Sequence, residues 1–151
     1  MIIGCGNPFR RDDAVGLLVA RRLRDRGIDA REHTGEPLAL LEAWDGADTV
    51  ILVDAMRSGQ PAGTIAEWEA TAAAGFWTAK PTSSHAFGLR ETIELARLLG
   101  RLPRRLLVYG IEGRDFGLGT RISPELTAAV EETARRIAAA VRGRLRPGPR
   151  R

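Results

Sequence analysis

The sequence predicts an α/β protein: a three-layer α/β/α sandwich built on a mostly parallel, twisted sheet of about five strands. Two observations lead there. Short apolar runs alternate along the chain with segments whose apolar residues recur at helical spacing, and strand–helix–strand succession is how parallel strands are joined. The clearest of these runs, at 48–54, holds consecutive β-branched or aliphatic residues without polar alternation, as a strand covered on both faces does.

Residues 1–5 read as a buried strand entering a Gly-x-Gly turn. From 13 to 26, Val15, Leu18, Val19 and Leu23 recur among arginines, giving a helix with one face inward that closes at Gly27. A second strand is expected over 28–33 and a short helix over 38–44. Residues 48–54 (DTVILVD) form the expected central strand. The 63–70 segment alternates imperfectly and reads as a strand near an edge, while 71–84 has no period and reads as a loop. Leu89, Ile93, Ala96 and Leu99 mark an amphipathic helix over 86–99 that stops at Gly100. Residues 105–111 (RLLVYGI) are the last strand, and Ser123-Pro124 reads as an N-cap and first position of a helix running to Val141.

A chain of 151 residues with 44% hydrophobic and 28% charged residues is the size and balance of one soluble domain. No run approaches the length of a membrane span, and no basic leader with a cleavage site opens the chain, so the expectation is a cytoplasmic protein without a membrane partner. A lone cysteine, Cys5, excludes an internal disulfide and a thiolate zinc cage. The net charge of +4 invites a nucleic-acid reading, but five of the 23 basic residues lie in 142–151 (RGRLRPGPRR), leaving 18 against 19 acidic ones elsewhere. The body is not basic, and no nucleic-acid partner is expected. The division is therefore one domain over 1–141 and a disordered basic Pro/Gly/Arg tail over 142–151, with a monomer as the default.

Three segments carry the chemistry. Residues 4–16 (GCGNPFRRDDAVG) open like a dinucleotide fingerprint, yet Phe9 stands where the third glycine belongs, and paired aspartates follow where a pyrophosphate would sit. Carboxylates at a helix start complement its dipole, so capping alone can account for both. The alternative is that Asp12 caps the first turn and leaves Asp13 projecting from the strand-to-helix corner. Asp54 ends the central strand at the edge where ligands collect in open α/β sheets, though a strand-ending turn aspartate is also ordinary. His85 stands at the mouth of a helix, where it caps or coordinates; the other histidine, His33, falls within an expected strand.

Two carboxylates and one imidazole at one sheet edge form a mixed ligand set that suits nickel or zinc with open positions. No His-x-x-x-His pair and no Gly-x-Ser-x-Gly elbow is present, so neither a conventional zinc peptidase helix nor a serine nucleophile is indicated. Cys5, without a basic neighbour in sequence, reads as a packed small residue.

In this order and spacing, GCGNPFRRDDAVG, VDAM, SSHAFGLRETIELARLLG and VYGIEG resemble the nickel-iron hydrogenase maturation endopeptidases over roughly residues 1–140. The resemblance implies a phosphorylase/hydrolase-like sandwich and an aspartic-type, nickel-recognising endopeptidase. Its implied reaction removes the C-terminal extension of a nickel-loaded hydrogenase large-subunit precursor. It implies Asp13, Asp54 and His85 as both catalytic and nickel-contacting, the first position being Glu or Asp in the family. Nickel then arrives with the precursor, and no resident organic cofactor is expected. Gly6 and Asn7 are expected to shape the turn and position substrate, and Glu112, ending the last strand, to line the cleft. Either the metal or a carboxylate, Asp13 or Asp54, activates water. The rival readings are a non-enzymatic nickel-binding module of the same fold and a Rossmann-like nucleotide-binding enzyme.

Overall fold

The computed structural model describes residues 1–71 and 84–144, the last stretch by backbone alone at 84–88 and 144. Its elements run β1 (Ile2–Cys5), α1 (Val15–Asp25), β2 (Arg31–His33), α2 (Pro37–Trp44), β3 (Thr49–Met56), β4 (Ile65–Glu69), α3 (Ser84–Leu98), β5 (Arg105–Glu112) and α4 (Glu125–Arg144). The strand order is β2-β1-β3-β5-β4. Among the described residues all pairings are parallel except β4 with β5, which puts the antiparallel strand at an edge, next to its successor strand β5.

Side chains alternate cleanly between two cores, which is why both central strands read as unbroken apolar runs. Ile51, Val53 and Ala55 of β3, with Leu107, Tyr109 and Ile111 of β5, pack beneath α1 and α4. Val50 and Leu52, with Leu106 and Val108, face α2 and α3. This is the expected three-layer sandwich. Trp44 is fully buried in the second core and donates its indole N–H to the Arg101 carbonyl, which gives the large ring a satisfied polar end.

Several boundaries differ from expectation for identifiable reasons. The first helix does not begin at Asp13; a single 3-10 turn, Arg11–Ala14, precedes α1. β3 continues two residues past Asp54 because Ala55 and Met56 pair with Ile111 and Glu112 of a β5 that is itself one residue longer than expected. β2 is only three residues long, since residues 28–30 have no strand partner. α4 runs three residues beyond Val141, so the expected boundary of the basic tail is too early: arginine is a good helix former and suits the negative end of the helix dipole. The expected loop over 71–84 lies, from 72 to 83, outside the described residues, as do Trp77 and the tail from 145. Among the described residues no helix is long and apolar enough to cross a membrane.

Candidate active site at the carboxyl edge of the sheet

The site is assembled by backbone packed on backbone. A Cβ on Gly16 would lie 2.2 Å from the Cys5 carbonyl oxygen and 2.4 Å from that of Val53; one on Gly4 would lie 2.0 Å from the Gly16 carbonyl oxygen. Only hydrogen fits at these positions, so the start of α1 rests directly on the carboxyl ends of β1 and β3. Gly6 completes the arrangement: its own Cβ would stand 1.9 Å from the Asp13 carbonyl oxygen. The turn leaving β1 and the turn entering α1 are thus pressed together, and Asp13 is carried over the end of the sheet.

Asp13 is buried, and its carboxylate oxygen Oδ2 accepts the Asn7 N–H at 3.0 Å. Asp54, half-buried on β3, accepts the Ala55 N–H at 2.8 Å. Burial pushes the Asp54 carboxyl well above its ordinary range, and the Asp13 charge adds to this, outweighing the Ala55 hydrogen bond. Two acids distant in sequence are therefore near enough at this edge for the charge of one to act on the other. By the period of β3, Asp54 lies on the face of Val50 and Leu52, which α2 and α3 cover.

The end of α3 remote from Asp54 can be located. Arg97, in its last turn, donates to the Ala70 carbonyl, and the Ala70 N–H donates to Leu106 at the amino end of β5. With 15 residues the helix is about 22 Å long, so its first turn, holding His85, lies toward the carboxyl edge that carries the two aspartates. The His85 side chain lies outside the described residues. Among the described residues no three His, Cys, Asp or Glu side chains converge to hold a metal ion, so a set of that size at this edge would have to include a side chain outside them.

Asp12 does not cap the helix as the sequence suggests. Fully buried, its carboxylate accepts N–H groups from Arg114, Asp115 and Ser123 and the Ser123 hydroxyl, at 2.6–2.8 Å. It is the clasp that holds the loop after β5 against the Asp13 turn, and it occupies the Ser123 hydroxyl that the sequence assigns to capping α4. Burial raises its pKa, but the three backbone N–H bonds and the serine hydroxyl outweigh that and hold it below its ordinary value of 3.8. A group lowered in this way contributes stability above 3.8 that is lost as pH falls through the folded-state value. Asp12→Ala, which strands four donors, is expected to cost about 3 kcal/mol or more in urea unfolding; Asp12→Asn should flatten the acid limb of the stability profile.

Glu112 departs from its expected role as well. It is buried, and it accepts the Ser58 N–H and hydroxyl and the Gly59 N–H, all within 2.8–3.0 Å. Its carboxylate closes the turn after β3 and does not line a cleft. Asn7 and Gly6 do shape the turn beneath Asp13: the Asn7 side-chain oxygen accepts the Phe9 N–H, and the Gly6 N–H bonds the His33 carbonyl. The N–H groups from Gly6 to Asp13 that could cradle a phosphate are spent internally. Besides Gly6, Asn7 and Phe9, those of Arg10, Arg11, Asp12 and Asp13 bond Asn7, Gly119, Asp115 and Arg10, and Pro8 has none. The dinucleotide reading fails on this ground. Cys5 is buried in the core, and burial, then the Asp54 and Asp13 charges, push its thiol well above the ordinary range, as expected of an inert packed residue.

Comparison with known proteins shows the family and the fold. The family model described as "Hydrogenase maturation protease" matches residues 33–140, more than half of the chain. The chain belongs to this family. The match takes in Asp54 and His85, and the Asp13 turn is reached by longer alignments. One member from Azotobacter vinelandii, a hydrogenase expression/formation protein HoxM, is 30% identical over 99% of this chain and 81% of its own length. The hydrogenase 2 maturation protease of Escherichia coli is 24% identical over 94% of this chain and 90% of its own. A HupD relative from Thiocapsa roseopersicina is longer, and the chain spans 64% of it. Among solved structures, the [NiFe] hydrogenase maturation protease HybD of Thermococcus kodakarensis matches with a TM-score of 0.74 at 25% identity, over 93% of this chain and 96% of that one. The E. coli endopeptidase HybD shares the fold with a TM-score of 0.78 at 22% identity, over 94% and 91%.

The residues that the sequence does not single out are those acting through backbone packing. Gly16, one step inside a helical pattern, was the available signal, because a glycine there marks close approach. Nothing local distinguishes Asp12 from Asp13, or reveals that Glu112 turns inward.

Proposed function

We propose that this family member is a cytoplasmic endopeptidase that removes the C-terminal extension of a nickel-loaded hydrogenase large-subunit precursor. What supports the reading is that Asp13 and Asp54 lie near the same carboxyl edge, with a repulsion between their charges that a divalent cation or a proton relieves. Nickel is written as part of the substrate: it enters with the precursor, and Asp13, Asp54 and His85 receive it there. Imidazole and carboxylate donors suit nickel, and the aspartates are held in place by Gly6, Asn7 and Gly16 before substrate arrives. Asp54, whose carboxyl holds its proton to higher pH than an ordinary aspartate, is the group suited to exchange a proton with the attacking water or the departing amine.

The test is mass spectrometry of candidate large-subunit precursors after incubation with the chain, with and without nickel loading. A single C-terminal fragment released only from nickel-loaded precursor is the expected result. Intact precursor under both conditions would remove the peptidase reading and favour a nickel-binding module, whose own affinity for nickel equilibrium dialysis would then reveal.

A further inference from the structure

Beside the aspartate pair the protein carries a built, exposed ridge that the reaction as described does not use. Phe9 is 66% exposed and Leu118 75%, on two loops far apart in sequence. Those loops are joined: the Gly119 N–H donates to the Phe9 carbonyl at 2.9 Å, the Arg11 N–H to the Gly119 carbonyl at 3.0 Å, and Arg11 Nε to the Leu118 carbonyl at 3.1 Å. Arg11 adopts a φ of +45°, unfavourable for a residue with a side chain. Its backbone and guanidinium bonds, with the Asp115 ion pair at 3.5 Å, hold it there. Glycine is favoured opposite by the φ of +149° at Gly119, where a Cβ would also displace the Arg11 side chain, 2.9 Å away. Two large apolar side chains are thus presented to solvent on a strained, well-bonded support.

The ridge is coupled to the site. The Phe9 N–H bonds the Asn7 side chain, and the Asn7 N–H bonds the Asp13 carboxylate. The other loop is clasped to the same turn by Asp12. Its charge is positive. Arg10 and Arg121 are exposed and form no ion pair with any described residue, whereas Arg11 and Arg114 are each matched by one acid, Asp115 and Glu125. The ridge is therefore positive within a body that carries 18 basic and 19 acidic residues outside 142–151.

We propose that this ridge is the docking surface for the precursor polypeptide, and that it takes a segment bearing an apolar side chain flanked by carboxylates. The inference rests on the proposed function for the identity of the partner. Phe9 and Leu118 supply the anchor, Arg10 and Arg121 the charge that selects and steers it, and the bonds to Asn7 and Asp12 hold the docked chain in register with Asp13 and Asp54. A second copy of this chain is the weaker occupant, because facing ridges would set Arg10 and Arg121 against like charges.

The experiment compares the full chain with Phe9→Ser/Leu118→Ser and Arg10→Glu/Arg121→Glu. It measures kcat and KM on nickel-loaded precursor and Kd on nickel-free precursor at low and high salt, with sedimentation of the chain alone. Removing the apolar pair should raise KM and Kd about tenfold or more with kcat nearly unchanged. Reversing the arginines should weaken binding about tenfold at low salt, with the difference shrinking at high salt. These side chains are exposed, so melting temperatures should match the parent. KM and Kd that respond to neither pair, or no binding to either precursor form, overturn the docking surface. So does a dimer of the parent chain that Phe9→Ser/Leu118→Ser dissolves without altering precursor affinity. Ridge-dependent binding without cleavage would sink the peptidase reading and leave the ridge standing; cleavage with ridge-independent KM does the reverse.

Discussion

Asp54→Asn is expected to reduce precursor cleavage by a factor of about 10²–10⁴, the range that a positioned acid–base group contributes, without loss of the fold. The change is nearly isosteric, the Ala55 N–H keeps an acceptor, and the repulsion with Asp13 disappears. The sign of the stability effect follows from linkage. Asp54 is raised in the folded state, so its favourable contribution is complete below its ordinary value of 3.8 and is lost as pH rises through the folded-state value. At neutral pH the parent has lost that contribution, and the asparagine variant, which does not titrate, should melt at the same temperature or higher. Stability profiles from pH 4 to 8 should therefore converge in acid and separate toward neutrality. A variant that still processes nickel-loaded precursor at the parental rate would remove Asp54 from the chemistry; one that melts much lower would mean that the carboxylate is structural.

Gly16→Ala should be among the most damaging single methyl additions at the described residues. The added carbon would be driven to 2.2 and 2.4 Å from carbonyl oxygens on two different strands, and neither backbone can yield without breaking its pairing. The cost expected in urea unfolding is about 3 kcal/mol or more, at or above the upper end of ordinary overpacking. Any folded fraction should also cleave poorly, because lifting α1 from the sheet moves Asp13 away from Asp54. Gly143→Ala is the control: in α4 an added carbon meets nothing within 4 Å, and alanine should be neutral or stabilise by a few tenths of a kcal/mol, less than mid-helix because the helix is ending. Comparable losses at both positions would indicate that helix interiors in this fold tolerate no change, and the close-approach argument would fail.

The layers were legible because both signals are local. A strand covered on two faces must be apolar at every position, and residues 50–53 and 106–108 say so without reference to anything distant. Helical spacing in 15–23, 89–96 and 126–138 likewise marks one buried stripe each. Element ends were less legible, because they depend on what lies opposite: β3 passes Asp54 only because β5 extends beside it as far as Glu112.

What the sequence alone determined is therefore the architecture and the edge at which chemistry collects: the order of elements, the two-sided burial of the central strands, and the placement of Asp13 and Asp54 at ends of elements that share that edge. The tertiary structure decided which acid does what. Asp12 and Asp13 are identical neighbours, yet one is consumed by the loop at 114–123 and the other is held by the Asn7 N–H near enough to Asp54 for its charge to act there, and Glu112 serves Ser58 and Gly59 in place of the cleft. Such assignments rest on hydrogen bonds between groups some 50 to 110 residues apart, formed only when Gly4, Gly6 and Gly16 let the backbones touch. No periodicity or propensity encodes a contact of that range; close packing at the end of the sheet selects it.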